Sequence, residues 1–175
     1  VSYCVKELAV NAKKANTKRV YFKDRNLDIE NMSDYDEGMK SFKQQTLDNI
    51  DYYLAKQKAA GLYVKLVLRA RQKTLTISVH NNVEITRKEQ MRVFDRIARS
   101  RAFESMEEAF SAVLDNTEGA GLGIVILILM LKKIGLDEEA FELEYENGET
   151  VARITVPLTE VRLEQIDALT QAVVA

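Results

Sequence analysis

Three of the chain's seven glycines, Gly119, Gly121 and Gly123, fall within five residues and lead into the apolar run Leu122 to Leu131. Glycines at the start of a helix suit an anion. The first-turn N–H groups lack intrahelical partners, the helix dipole is positive there, and without Cβ atoms a phosphate oxygen can reach the main chain. The run alone is equally compatible with a flexible turn before a core helix. No hydrophobic strand directly precedes it, which disfavours a dinucleotide-binding βαβ unit, and it lacks the Gly-Lys-Ser/Thr ending of a P-loop. Near the other end of the chain, Glu7, Asn11 and Lys14 recur at spacings that put them in a roughly 60° stripe of one helix. They would line one edge of whatever that helix covers, or form a solvated helix face.

Taken in order, these motifs resemble the ATP-binding domain of the GHKL superfamily, which includes histidine kinases, DNA gyrase, heat-shock chaperones of the ninety-kilodalton class and mismatch-repair MutL. The resemblance covers about residues 5 to 158. Its first element is the N box, Glu7-Leu8-Ala9-Val10-Asn11-Ala12-Lys13-Lys14-Ala15, and its last is the glycine box at Gly119 to Gly123, followed by a hairpin ending in Val156-Pro157-Leu158. Between them Val93-Phe94-Asp95-Arg96-Ile97-Ala98-Arg99 is similar to the phenylalanine box of histidine kinases, with Ile97 at the second aromatic position. The resemblance implies Mg²⁺ on Asn11, phosphates on Lys14, Arg99, Gly119, Gly121, Leu122 and Gly123, and Glu7 beside the γ-phosphate, with Glu7 and Lys14 the catalytic pair. Many histidine kinases have Asn where this chain has Glu7, whereas members that hydrolyse ATP or phosphorylate serine have Glu there as a general base.

The adenine end departs from the superfamily. An Asp followed by spaced glycines is expected after the second alternating strand, and this chain has Val79-His80-Asn81-Asn82-Val83-Glu84-Ile85. Strand alternation puts Asn81 at the Asp position, where its amide oxygen can accept from the adenine amino group. Val83 and Glu84 replace the glycines that let the loop approach the base. The functional expectation is an Mg-ATP-binding, histidine-kinase-type catalytic domain, transferring the γ-phosphate to a histidine outside this chain, with a response regulator as further partner. Two alternatives stay open: an ATPase or serine kinase using Glu7 as base, and a nucleotide-free interaction module. His80 ends a strand and lacks the acidic neighbour of a phospho-acceptor, so it reads as structural or solvent-exposed. Arg96, Arg99 and Arg101 read either as phosphate contacts or as a solvated helix end.

The elements that must position these residues follow from periodicity. Residues 3 to 16 read as a helix with Val5, Leu8, Ala12 and Ala15 inward, Lys18 to Lys23 as a short strand, and Asp24 to Asp36 as loop. Met39 to Ala60 reads as one helix of about 22 residues closed by Gly61, with Gly38 near its start. Two alternating strands follow, Leu62 to Arg69 and Thr74 to His80, joined through Ala70 to Lys73. Thr86 and Glu89 form a capping-box start for a helix to about Ala98. A short helix over Met106 to Leu114 within a polar lid, an apolar helix closed by Gly135, a hairpin turning at Asn147-Gly148, and a last helix from about Glu160 with Leu163, Ile166, Leu169 and Val173 complete the series. The sum is an α+β fold, a two-layer sandwich of Bergerat type, with a mixed, mostly antiparallel sheet covered by helices on one face.

Composition bounds the rest. The chain has 175 residues, 25 basic against 27 acidic, one Cys and one His. It is long enough for one domain with one core, near charge balance, and without the basic excess that non-specific nucleic-acid binding favours. Lone Cys4 excludes an internal disulfide and suits a reducing, cytoplasmic setting. Leu122 to Leu131 is about half of a membrane span, so no membrane contact is expected from this segment. Val1 already falls inside a helical pattern, so the expectation is a single domain over residues 1–175 cut from a longer protein, with a homodimer through the last helix left open.

Overall fold

The computed structural model describes residues 2–103, 108 and 122–159. In chain order these form α1 (Ser2–Asp24), α2 (Met32–Asp48), α3 (Ile50–Ala59), β1 (Val64–Arg71), β2 (Thr74–Asn81), α4 (Arg87–Ser100), α5 (Leu122–Lys133), a 3₁₀ turn (Glu138–Ala140), β3 (Phe141–Glu146) and β4 (Glu149–Pro157). The strands make one four-stranded sheet in the order β1-β2-β4-β3, and every described pairing is antiparallel. The chain is therefore an α+β protein. The expected helices from about Glu160, and over Met106 to Leu114 apart from Glu108, lie outside the described residues.

Turn chemistry sets the hairpins. Gln72 and Lys73 have φ of 50° and 58°, the double left-handed conformation whose twist matches two antiparallel strands. The expected four-residue connection shrinks to these two because Ala70 and Arg71 stay in the ladder, opposite Leu75 and Thr74. Asn147 and Gly148 turn the β3–β4 hairpin with φ of 52° and 79°. Helix ends are equally local. Asn31 caps α2 by accepting from Ser33 and Asp34 N–H at 2.9 and 3.2 Å. Thr86 and Glu89 exchange both bonds of a capping box on α4. Gly135, at φ 73°, closes α5 as Leu136 N–H reaches back to Leu131 C=O at 2.9 Å.

Three sequence expectations about the helices are corrected. Lys18 to Lys23 is not a strand but the second half of α1, which ends only where Asn26 turns left-handed (φ 52°) and Leu27 N–H bonds Phe22 C=O at 3.0 Å. Tyr21 and Phe22 are fully enclosed there with Tyr35, Phe42 and Tyr53. A short aromatic run fits a strand or a helix face equally well, and the packing of later helices decides which. The single helix expected from Met39 to Ala60 is two, broken at Asn49, whose side-chain N–H₂ bonds the Gln45 carbonyl at 2.9 Å in competition with the helix ladder. The first of them starts at Met32, inside the stretch expected as loop, and Gly38 lies within it. A Cβ on Gly38 would stand 2.7 Å from Phe22 Cζ, so α1 and α2 meet across that glycine.

The main core lies between the sheet and α1, α4 and α5. Cys4, Leu8 and Ala12 of α1 and Ile124, Leu127, Ile128 and Leu131 of α5 pack with Val79, Ile154, Val156 and Phe141 of the sheet. The helix cover stops short of the sheet edge. Leu66 and Leu68 stand opposite Val79 and Ile77 on that face, yet they are 51% and 62% exposed.

Candidate functional site

Helices α1 and α5 meet because Leu8 and Ala12 share one core with Ile124, Leu127 and Ile128. That packing sets Glu7 against Gly123, the second residue of α5. A Cβ built on Gly123 would lie 2.2 Å from Glu7 Oε1 and 2.5 Å from Cδ, so the carboxylate occupies the space a side chain there would need. Tyr3, one turn before Glu7, titrates above its ordinary value, first through burial and then through the Glu7 carboxylate. Asn11 is half-buried one turn further along α1, and Lys14 is exposed. The structure thus brings Glu7 and Gly123 together and keeps Asn11 and Lys14 on the same helix. Gly119 and Gly121 lie outside the described residues, and Leu122 is described only as the opening residue of α5.

Asn81 ends β2 on the helix-covered side of the sheet and is almost fully enclosed. Its Nδ2 donates to Asn16 Oδ1 at 3.3 Å, and Asn16 Nδ2 donates to the Tyr63 carbonyl at 2.9 Å. Asn82 accepts from Tyr63 N–H at 2.8 Å and donates to the Gly61 carbonyl at 2.9 Å. Thr150 Oγ1 donates to the Val83 carbonyl at 2.6 Å, and Arg19 donates to that of Glu84. Side chains from α1 and β4 therefore anchor the segment that has no glycines. The sequence alone does not single out Asn16. Its signal was its place in the row Leu8, Ala12, Asn16, an amide on a buried stripe at helical spacing.

The remaining polar residues divide between anchors and surface. Glu89 links α4 to α1 through Lys18 at 2.8 Å and Arg19 at 2.7 Å. Burial opposes its charge, but the hydrogen bonds and charges of Arg19 and Lys18 prevail and lower its pKa to about 2. Arg99 pairs with Asp95 at 2.9 Å on the exposed surface of α4, and Arg101 with Glu138 at 2.7 Å. No described contact joins either to Glu7 or Asn11. His80 sits on the opposite sheet face, with Nε2 2.9 Å from Ser78 Oγ and Nδ1 2.8 Å from Glu149. Tyr63 and Lys65 also hold that carboxylate, which lowers its pKa to about 2. These bonds hold His80 in a partly buried network.

Cys4 is buried beside Met130, and burial pushes its thiol up, the setting of an unreactive cysteine. An apolar cavity of about 180 Å³ opens beside it, lined by Met130, Leu131, Ile154 and Val156 among others, and by none of the expected site residues. Among the described residues no three His, Cys, Asp or Glu side chains converge on a metal position, and no helix is long and apolar enough to cross a membrane.

The chain is similar to an uncharacterized protein of Treponema pallidum (strain Nichols), with 50% identity over 157 residues that cover 90% of this chain. It spans 31% of that relative's length. No family model matches the chain, and no solved structure does.

Proposed function

We propose that the chain is an Mg-ATP-binding phosphotransfer domain of histidine-kinase type, with a Bergerat-type arrangement of its α+β fold and a cytoplasmic setting. The observation that carries this is the meeting of Glu7 with Gly123, two motifs 116 residues apart in sequence. Asn11 would hold Mg²⁺, Lys14 and Gly123 would lie toward the phosphates, Arg99 would approach them only by leaving Asp95, and Asn81 would face the base. When bound, Mg²⁺ would neutralise phosphate charge. Glu7 would hold or accept a proton at its carboxylate oxygen, and Lys14 would supply a cation. The phospho-acceptor is a histidine outside this chain, and a response regulator its onward partner. If water or a serine hydroxyl is the acceptor instead, Glu7 serves the same role.

A nucleotide-free interaction module is the second reading, favoured by the anchoring of Asn81 to Glu84. Calorimetry with Mg·ATP and a non-hydrolysable analogue separates the two. The expected result is binding that weakens at least tenfold in Asn11→Ala, and Glu7→Ala that still binds but turns over at least 100-fold more slowly. No heat and no thermal stabilisation at millimolar nucleotide would leave the second reading standing.

A further inference from the structure

Asn16 and Asn81 are 2% and 3% exposed, and their amides are joined end to end. Turning an amide by half a turn exchanges a donor for an acceptor, so its orientation is chemistry that its partners decide. One atom here can play only one part. The Tyr63 carbonyl accepts and cannot donate, so the Asn16 atom 2.9 Å from it is Nδ2. Asn16 Oδ1 then faces Asn81, and the atom meeting it at 3.3 Å must be Asn81 Nδ2. Asn81 Oδ1 accepts no hydrogen bond from a described residue. No sealed-off side-chain oxygen among those residues goes without a partner, so Oδ1 keeps some exposed surface although Asn81 as a whole is nearly enclosed. The origin of the relay is itself fixed, because Tyr63 N–H donates to Asn82 and Asn82 donates to Gly61.

We infer that Asn16 is a positioning residue that fixes the orientation of the Asn81 amide with its Oδ1 toward the base, selecting a 6-amino purine over a 6-oxo purine. This rests on the placement of Asn81 at the base in the function proposed above. A freely turning asparagine accepts from a 6-amino group or donates to a 6-oxo group, and so reads both purines. Held by Asn16, Asn81 keeps one of its two Nδ2 N–H groups on Asn16 Oδ1 and cannot turn its amide without breaking that bond, so the atom it offers to the 6-substituent is Oδ1. A 6-oxo purine then sets acceptor against acceptor in a nearly enclosed place, and a polar mismatch of that kind discriminates far more strongly than a missing methylene.

The test is titration of the full chain with Mg·ATP and Mg·GTP, before and after Asn16→Leu, with circular dichroism to confirm folding. The expected ratio of dissociation constants favours ATP by at least about tenfold in the unaltered chain. It falls to within about threefold in Asn16→Leu, and adding Asn81→Asp, which presents an acceptor in either orientation, restores it. Asn16→Ala gives the same comparison if the leucine variant does not fold. An unchanged ratio in a folded Asn16 variant, or equal affinities in the unaltered chain, overturns the relay and leaves nucleotide binding intact. Binding of neither nucleotide by the unaltered chain overturns both proposals.

Discussion

Glu7 and Gly123 constrain each other. A methyl group at Gly123 would stand 2.2 Å from the Glu7 carboxylate, so the side chain must leave its place. Because the atoms met are the far end of a flexible side chain, Gly123→Ala is expected to cost less than a packed-core clash, up to about 1 kcal/mol. Glu7→Ala in the same chain should recover part of that loss. Urea denaturation of both single variants and the double variant measures the coupling, and strict additivity would show that the two groups do not touch. Glu89 supports the site from outside it, and its pKa is lowered from 4.5 to about 2. Its contribution is present above the unfolded value and disappears as pH falls through the folded one. That difference corresponds to about 3 kcal/mol. Stability should thus fall between about pH 4.5 and 2, and Glu89→Gln should flatten that part of the curve. At this scale the sequence revealed the stripe Glu7, Asn11, Lys14 and the place of Asn81, because helix and strand periods fix which side chains share a face. Asn16 escaped notice because its role comes from Tyr63 and Asn81, 47 and 65 positions away.

Elements whose boundaries depend on local chemistry were legible. The Thr86–Glu89 capping box, the Asn147-Gly148 turn and the Gly61 and Gly135 helix ends all formed where residue types required them. Thr86→Ala, which removes an enclosed cap, is expected to cost about 1 kcal/mol in a denaturant titration. Lys73 has φ 58° in the first hairpin, a conformation glycine adopts without strain. Lys73→Gly should therefore raise the melting temperature slightly, by roughly 0.5 kcal/mol of stability, whereas a lowered melting point would show that the lysine side chain supports the turn. Elements decided by distant packing were not legible. Lys18 to Lys23 became helix because Tyr21 and Phe22 find Tyr35, Phe42 and Tyr53, none of which a short window contains. Val64, Leu66 and Leu68 alternate as a half-buried strand should, and only the extent of the helix layer leaves them exposed.

Across the whole molecule, α1 is the one described element that enters both large cores. Its first half closes the sheet through Cys4, Leu8 and Ala12, and its second half carries the aromatic cluster under α2 and α3. The same helix spaces the candidate site, since Glu7 and Asn16 are nine residues apart, about 14 Å along the axis. An unbroken helix has no hinge, so loss of either core should unravel the other. The chain has no tryptophan and seven tyrosines, of which Tyr3, Tyr21, Tyr35, Tyr52 and Tyr53 lie on α1, α2 and α3 and three, Tyr21, Tyr35 and Tyr53, in the aromatic cluster. Tyrosine fluorescence therefore reports in large part on the aromatic cluster, while far-ultraviolet circular dichroism reports on every helix and strand. The two signals should give coincident urea transitions. Phe42→Ala should shift both together by about 3–5 kcal/mol, even though Phe42 touches no part of the sheet core. Separate transitions, or a Phe42→Ala shift confined to fluorescence, would mean that α1 carries two independently stable bodies and that the candidate site does not depend on the aromatic one.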